Sequence, residues 1–161
     1  MLVAGYAIIR RFRRAFTYFL VFTNNKRITV NDAMMILKEK SNKEKKIIIE
    51  KLSYDDNSQK VRLFPRVPII AKISNEDMNI VNNQMFTVHH VTNESYDKNL
   101  ILIPIHEFQR MFYVAYAITI HKCQGETYNE PYTIHEWERL DRRLKYVALS
   151  RATDKNLINI I

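Results

Sequence analysis

Glycine is the residue that most limits what this chain can build: only Gly5 and Gly125 occur among its 161 residues. Loops that wrap a phosphate in backbone N–H groups need glycines at set intervals. Neither G-x-x-x-x-G-K-[ST] nor G-x-G-x-x-G can be written with these two. Turns must instead be made by Asn, Asp and Pro, each by its own backbone preference. The single cysteine, Cys123, rules out an internal disulfide framework and a cysteine-rich zinc site. It fits a reducing, intracellular compartment. With 47% hydrophobic and 26% charged residues, the chain has the apolar side chains for one globular core.

The formal net charge is +8, and it is unevenly placed. Residues 1–51 hold 12 Lys/Arg against 4 Asp/Glu, whereas the remaining two thirds are close to balance. A basic end on a balanced domain suits a polyanionic partner, and equally a solvated face kept for solubility. No apolar run approaches the roughly 18 residues needed to span a bilayer. In MLVAGYAIIRRFRRAF the arginines follow the apolar stretch, which is not the order of a secretory signal. Ile8, Phe12 and Phe16 recur at helical spacing beside four arginines, so an amphipathic helix is expected over 8–16.

TYFLVF (17–22) reads as a strand, and a helix is expected from Thr29 to Lys40, capped by Asn31 or Asp32. IIIEKL after the charged loop at 41–46 fits helix or strand. Between Val61 and Ile103, short apolar runs separated by Pro, Asn and Asp read as β-rich. FYVAYAITI (112–120) fits helix or strand. A helix is expected over 135–143, YVAL (146–149) as a buried strand, and LINII (157–161) as the last strand. The expected division is 1–60, a β-rich insertion at 61–105, and 106–161.

Two strings carry chemistry. In AITIHKCQGETY (117–128) a β-branched run ends in a polar turn that gathers Thr119, His121, Lys122 and Gln124 around Gly125. Hydroxyl, ammonium and amide donors together suit phosphate oxygens. In YVALSRAT (146–153), Arg151 brings a planar multi-donor group, again suited to phosphate. Other candidates are weaker. His89, His90, His106 and His135 lack metal-ligand spacing, Ser150 lacks a nucleophile-elbow pattern, and Cys123 has no activating neighbour in sequence. Trp137, Leu140 and Leu144 recur at helical spacing and are expected in the core.

Together these strings resemble the C-terminal half of the motor of superfamily 1 DNA helicases, the RecD- and UvrD-like branch. There, T-x-H-K-x-Q-G precedes Y-V-A-L-S-R by a few tens of residues, and here Gln124 and Arg151 are 27 apart. FTNNKR (22–27) resembles the strand-ending T-N motif of that family, and Asn31 its trailing asparagine. The stretch 61–88 resembles its β-rich segment, although Phe64-Pro65 and Asn83-Gln84 stand where turn glycines are usual.

The resemblance implies an α/β fold: a RecA-like parallel sheet of the P-loop NTPase type flanked by helices, with a small β-rich insertion. It implies that Arg151 is an arginine finger reaching a γ-phosphate, that Gln124 and Gly125 sense nucleotide, and that Thr23, Asn24, Thr119, His121 and Lys122 face single-stranded DNA. ATP and Mg²⁺ would bind only with an N-terminal motor domain. That domain would supply the phosphate loop and magnesium carboxylates that these 161 residues lack; Asp55-Asp56 and Asn75-Glu76-Asp77 lie in loop-like contexts. Alone, the chain is expected to be inactive as an ATPase. A non-catalytic nucleic-acid-binding module, or a degenerate helicase remnant, is the alternative. A membrane-surface role for 8–16 is a third.

Overall fold

The computed structural model describes residues 5–11, 19–92 and 100–161. Two sheets of opposite character share the chain. The first is antiparallel throughout, in the order β7 (Ile101–Pro104), β1 (Tyr6–Arg11), β6 (Met85–Thr92), β5 (Pro68–Ala71) and β8 (Phe112–Val114). The second is all parallel, in the order β11 (Ile158–Ile160), β10 (Tyr132–Ile134), β2 (Phe19–Val21) and β9 (Ala117–Thr119). A short hairpin pairs β3 (Ile47–Ile49) with β4 (Val61–Leu63). The helices are α1 (Asn24–Lys40), α2 (Ile105–Met111) and α3 (Arg142–Leu149). This is the RecA-like α/β architecture with its parallel sheet, and no described helix is long and apolar enough to cross a membrane.

The β-rich stretch does form strands, but its sheet also takes β1 from near the start of the chain and β8 from beyond residue 105. Tyr6–Arg11 is therefore a strand and not the start of a helix. Ala7, Ile8 and Ile9 are buried between β6 and β7, and pairing on both edges outweighs the local helical spacing. Phe12 and Phe16 lie outside the described residues. The isoleucines at 47–49 resolve as strand, and 112–120 as two strands.

Helix α1 starts earlier than its pattern suggested. Its cap is Thr23, whose hydroxyl accepts from Lys26 N at 3.2 Å, and not Asn31 or Asp32. Asn31 is instead fully buried in the middle of the helix. Its Nδ2 donates to the carbonyls of Val114 (3.0 Å) and Ala117 (2.9 Å), and its Oδ1 accepts from Ala117 N (2.8 Å). One side chain thus holds the point where β8 of the antiparallel sheet hands over to β9 of the parallel one.

YVAL (146–149) is not a strand: it forms the second half of α3. Asp141 caps that helix by accepting from Leu144 N at 2.7 Å. Leu140, Leu144, Val147 and Ala148 then turn inward at helical spacing, into the cluster formed by Leu20, Ile118, Tyr128 and Tyr132. The Tyr132 phenol, pushed up to about 12 chiefly by burial, stays protonated and donates to Ala148 O at 2.6 Å. LINII supplies β11, and Trp137 and Leu144 pack against the same cluster as half-buried residues.

Candidate nucleotide and nucleic-acid site

In the parallel sheet, Val21 is paired with Thr119 and Leu20 with Ile134. The chain therefore leaves β2, β9 and β10 at one carboxyl edge, where open α/β sheets place their ligands. Phe22, Thr23 and Asn24 emerge beside His121 and Lys122, and the Phe22 and His121 ring centroids are 6.5 Å apart. The two motifs read from sequence as facing nucleic acid thus meet in space.

Their side chains are not equally free. The Thr23 hydroxyl donates to Glu136 Oε1 at 3.0 Å while accepting from Lys26 N, so both of its functions are used inside the protein. Asn24 is exposed and gives its carbonyl oxygen to Arg27 Nε at 3.1 Å. Thr119 is buried at 9% exposure, His121 is exposed, and Lys122 is half-buried with its ammonium on Asn83 Oδ1 at 3.0 Å.

On the other side of the turn, Gly125 adopts φ 90°, and an added Cβ would meet nothing within 4 Å. Glycine is needed here for its backbone angle, not for space. Gln124 is exposed and, with His121, Arg143 and Tyr146, lines a cleft of about 450 Å³ between this turn and α3.

Arg151 lies one residue beyond Ser150, the C-cap of α3. Its guanidinium donates to Val147 O (3.1 Å), Glu126 O (3.2 Å) and Ser150 Oγ (3.0 Å). Its own carbonyl accepts from Tyr128 N at 2.7 Å. The two motifs are therefore fastened together by backbone and side chain. All three acceptors of the guanidinium are neutral, so none of these hydrogen bonds cancels its charge; the Glu126 carboxyl is the acidic group within its electrostatic reach. Burial raises the Glu126 carboxyl, which the Arg151 charge partly offsets. Burial also pushes the Cys123 thiol up to about 12, which makes it a packed side chain and not a nucleophile. Among the described residues no group of three His, Cys, Asp or Glu side chains could hold a metal.

Sequence reading missed Glu136. It sits at φ 58° just past β10, and its carboxylate accepts from Phe22 N, Thr23 N and Thr23 Oγ1 (2.9, 2.9 and 3.0 Å) and from Arg139 (2.7 Å). Nothing in the local sequence marks it, because the partners that set its role, Phe22 and Thr23, are more than a hundred residues away. Burial works to raise its pKa. The hydrogen bonds from Thr23 and Phe22, with the Arg139 charge, outweigh that and hold it below the usual carboxylate range. A depressed folded value means stability that is full above the unfolded pKa of about 4.3 and lost as pH falls through the folded one. Glu136→Gln should cost about 1–2 kcal/mol at pH 7. The gap from wild type in thermal melts should close toward pH 3; a gap independent of pH would contradict the charged role.

Solved structures of similar fold are Pif1 helicases. One, from a study of DNA unwinding at forked double-stranded DNA by two coordinating Pif1 helicases, has a TM-score of 0.61 at 18% identity. It covers 93% of this chain and 40% of that one. Pif1 helicase from Bacteroides in complex with ADP-AlF3 and ssDNA has a TM-score of 0.60 at 16% identity, covering 94% and 42%. Pif1 helicase from Candida albicans has 0.60 at 14% identity, covering 92% and 45%. The chain thus spans less than half the length of these structures. No curated protein matches the chain. Fold and paired motifs together define a helicase-type RecA-like domain. Residues 37–159 match the viral superfamily 1 RNA helicase core domain, and the chain belongs to that family.

Proposed function

We propose that this domain is the C-terminal motor half of a superfamily 1 helicase, working with a phosphate-loop half that lies outside these 161 residues. In this reading Arg151 is the arginine finger, and Gln124 and Gly125 line the nucleotide cleft. The observation that carries it is the fastening of Arg151 to Glu126, one residue past Gly125, through neutral acceptors only. A guanidinium so held is positioned by bonds that leave it charged, as a group that stabilises charge on a transferring phosphoryl must be.

The residues present fit one side of a nucleoside triphosphate and not its magnesium ion. Bound ATP supplies the phosphoanhydride whose cleavage drives motion, and its metal would be held by carboxylates of the other half. His121, Lys122 and Asn24, at the carboxyl edge, contact the phosphates of a single strand. Thr23 and Thr119 shape that edge from beneath, since one is saturated by Glu136 and Lys26 and the other is buried. Pif1 helicase from Bacteroides crystallised with ADP-AlF3 and ssDNA, which supports such a pairing of ligands.

The test is reconstitution. The chain alone should show no ATP turnover, and joined or mixed with a phosphate-loop half it should show turnover stimulated by single-stranded DNA or RNA. Robust turnover by the chain alone would overturn the reading, as would a well-folded pair that stays inert with every strand tried.

A further inference from the structure

Three cations from separate parts of the chain converge on one ring. Arg27 Cζ lies 4.3 Å, Lys72 Nζ 4.4 Å and Lys122 Nζ 5.7 Å from the centroid of Tyr113. They come from α1, from the end of β5 and from the turn after β9, while Tyr113 belongs to β8. One carboxylate answers them: Lys72 Nζ donates to Asp55 Oδ2 at 3.2 Å and to Gln109 O at 3.0 Å. Arg27, 1% exposed, uses neutral acceptors, Asn24 Oδ1 (3.1 Å), Asn57 O (2.6 Å) and Gln59 Oε1 (3.4 Å). Lys122 donates to Asn83 Oδ1. Three positive charges against one negative leave two without a carboxylate partner among the described residues.

Like charges held together in a half-buried place are costly unless an anion joins them. Burial lowers the Lys122 pKa, and Arg27 and Lys72 lower it further. The ring contributes its quadrupole to the cations, so Tyr113 serves as their support and not as a platform for stacking bases. The donors are not exhausted. Of three N–H groups on each ammonium, Lys122 uses one and Lys72 two. Asn83, at φ 66° in the turn between β5 and β6, is exposed, as is His121.

We propose that Lys72, Lys122 and Asn83 form a phosphate site for one phosphodiester of a single nucleic-acid strand, with Arg27 and Tyr113 as its floor. This rests on the reading that the domain binds a strand, and it extends the contact surface from the parallel sheet onto the β5–β6 turn of the antiparallel one.

The test is fluorescence anisotropy of labelled oligothymidylate and oligouridylate with the full chain across a salt series, each variant first checked by thermal melting. Lys72→Gln and Lys122→Gln should each weaken binding roughly tenfold near 0.1 M salt and reduce the slope of log K against log salt by about 0.7, the loss of one phosphate contact on a single strand. Asp55→Asn, which removes the lone carboxylate, should tighten binding about two- to threefold. A folded Lys72→Gln with wild-type affinity and slope would overturn the site. Weaker binding at unchanged slope would also overturn it, since that is loosened structure and not a lost phosphate. Displacement of the strand by low-millimolar inorganic phosphate at matched ionic strength would reassign the site to a free anion. Wild-type chain that binds neither oligonucleotide would instead remove the strand-binding reading itself.

Discussion

Arg151→Ala, introduced into the chain joined to a phosphate-loop half, is expected to lower nucleic-acid-stimulated ATP turnover by about 10³–10⁵-fold, the range for loss of an arginine finger. Strand affinity without nucleotide should stay within about twofold, because the arginine lies on the Glu126 side of the turn and the proposed strand contacts lie on the His121–Lys122 side. Arg151→Lys should recover little, because an ammonium cannot span Val147 O, Glu126 O and a phosphate oxygen as a planar fork does. The result also separates two classes of protein. A module that only binds nucleic acid has no use for Arg151, so unchanged turnover with intact binding would count against the motor reading.

Asn31→Ala is expected to cost about 4 kcal/mol of folding stability, or a fall in Tm on the order of 10 °C. The change strips partners from Ala117 N and from the carbonyls of Val114 and Ala117, all in the interior. Asn31→Asp discriminates geometry from volume. It keeps the acceptor for Ala117 N but turns a buried carboxylate oxygen toward two carbonyls, and should be at least as damaging as alanine. A Tm shift under about 2 °C for either variant, read by calorimetry, would show that the junction is held some other way.

These two residues also mark where the sequence was readable and where it was not. T-x-H-K-x-Q-G stood out because a β-branched run must end somewhere, and a polar turn with one glycine is where β9 ends. YVALSR is legible as a motif, but its apolar word reads as a strand where the structure has the end of α3. Leu140, Leu144, Val147 and Ala148 already carried the helical spacing, yet the short apolar word in isolation fits either state. The arginines hide strand β1 in the sequence, since its burial comes from β6 and β7, far along the chain. Asn31 was visible as a residue type only. Its three hydrogen bonds exist because α1 lies across the β8–β9 junction, and no local pattern encodes a crossing. The same holds for Glu136 and for the cations around Tyr113.

Only Ala115 and Tyr116 separate β8 from β9, and neither is idle: Ala115 N donates to Pro68 O at 2.9 Å, and Tyr116 O accepts from Phe19 N at 3.1 Å. With Asn31 bonded on both sides of that pair, the joint between the sheets has almost no slack. In mechanical terms it is a stiff coupling and not a tether. A push on the antiparallel sheet arrives at the β9 edge, and so at His121 and Lys122, without a flexible linker to absorb it. If the domain serves as the proposed motor half, such a joint would carry closure of the nucleotide cleft to the proposed strand contacts.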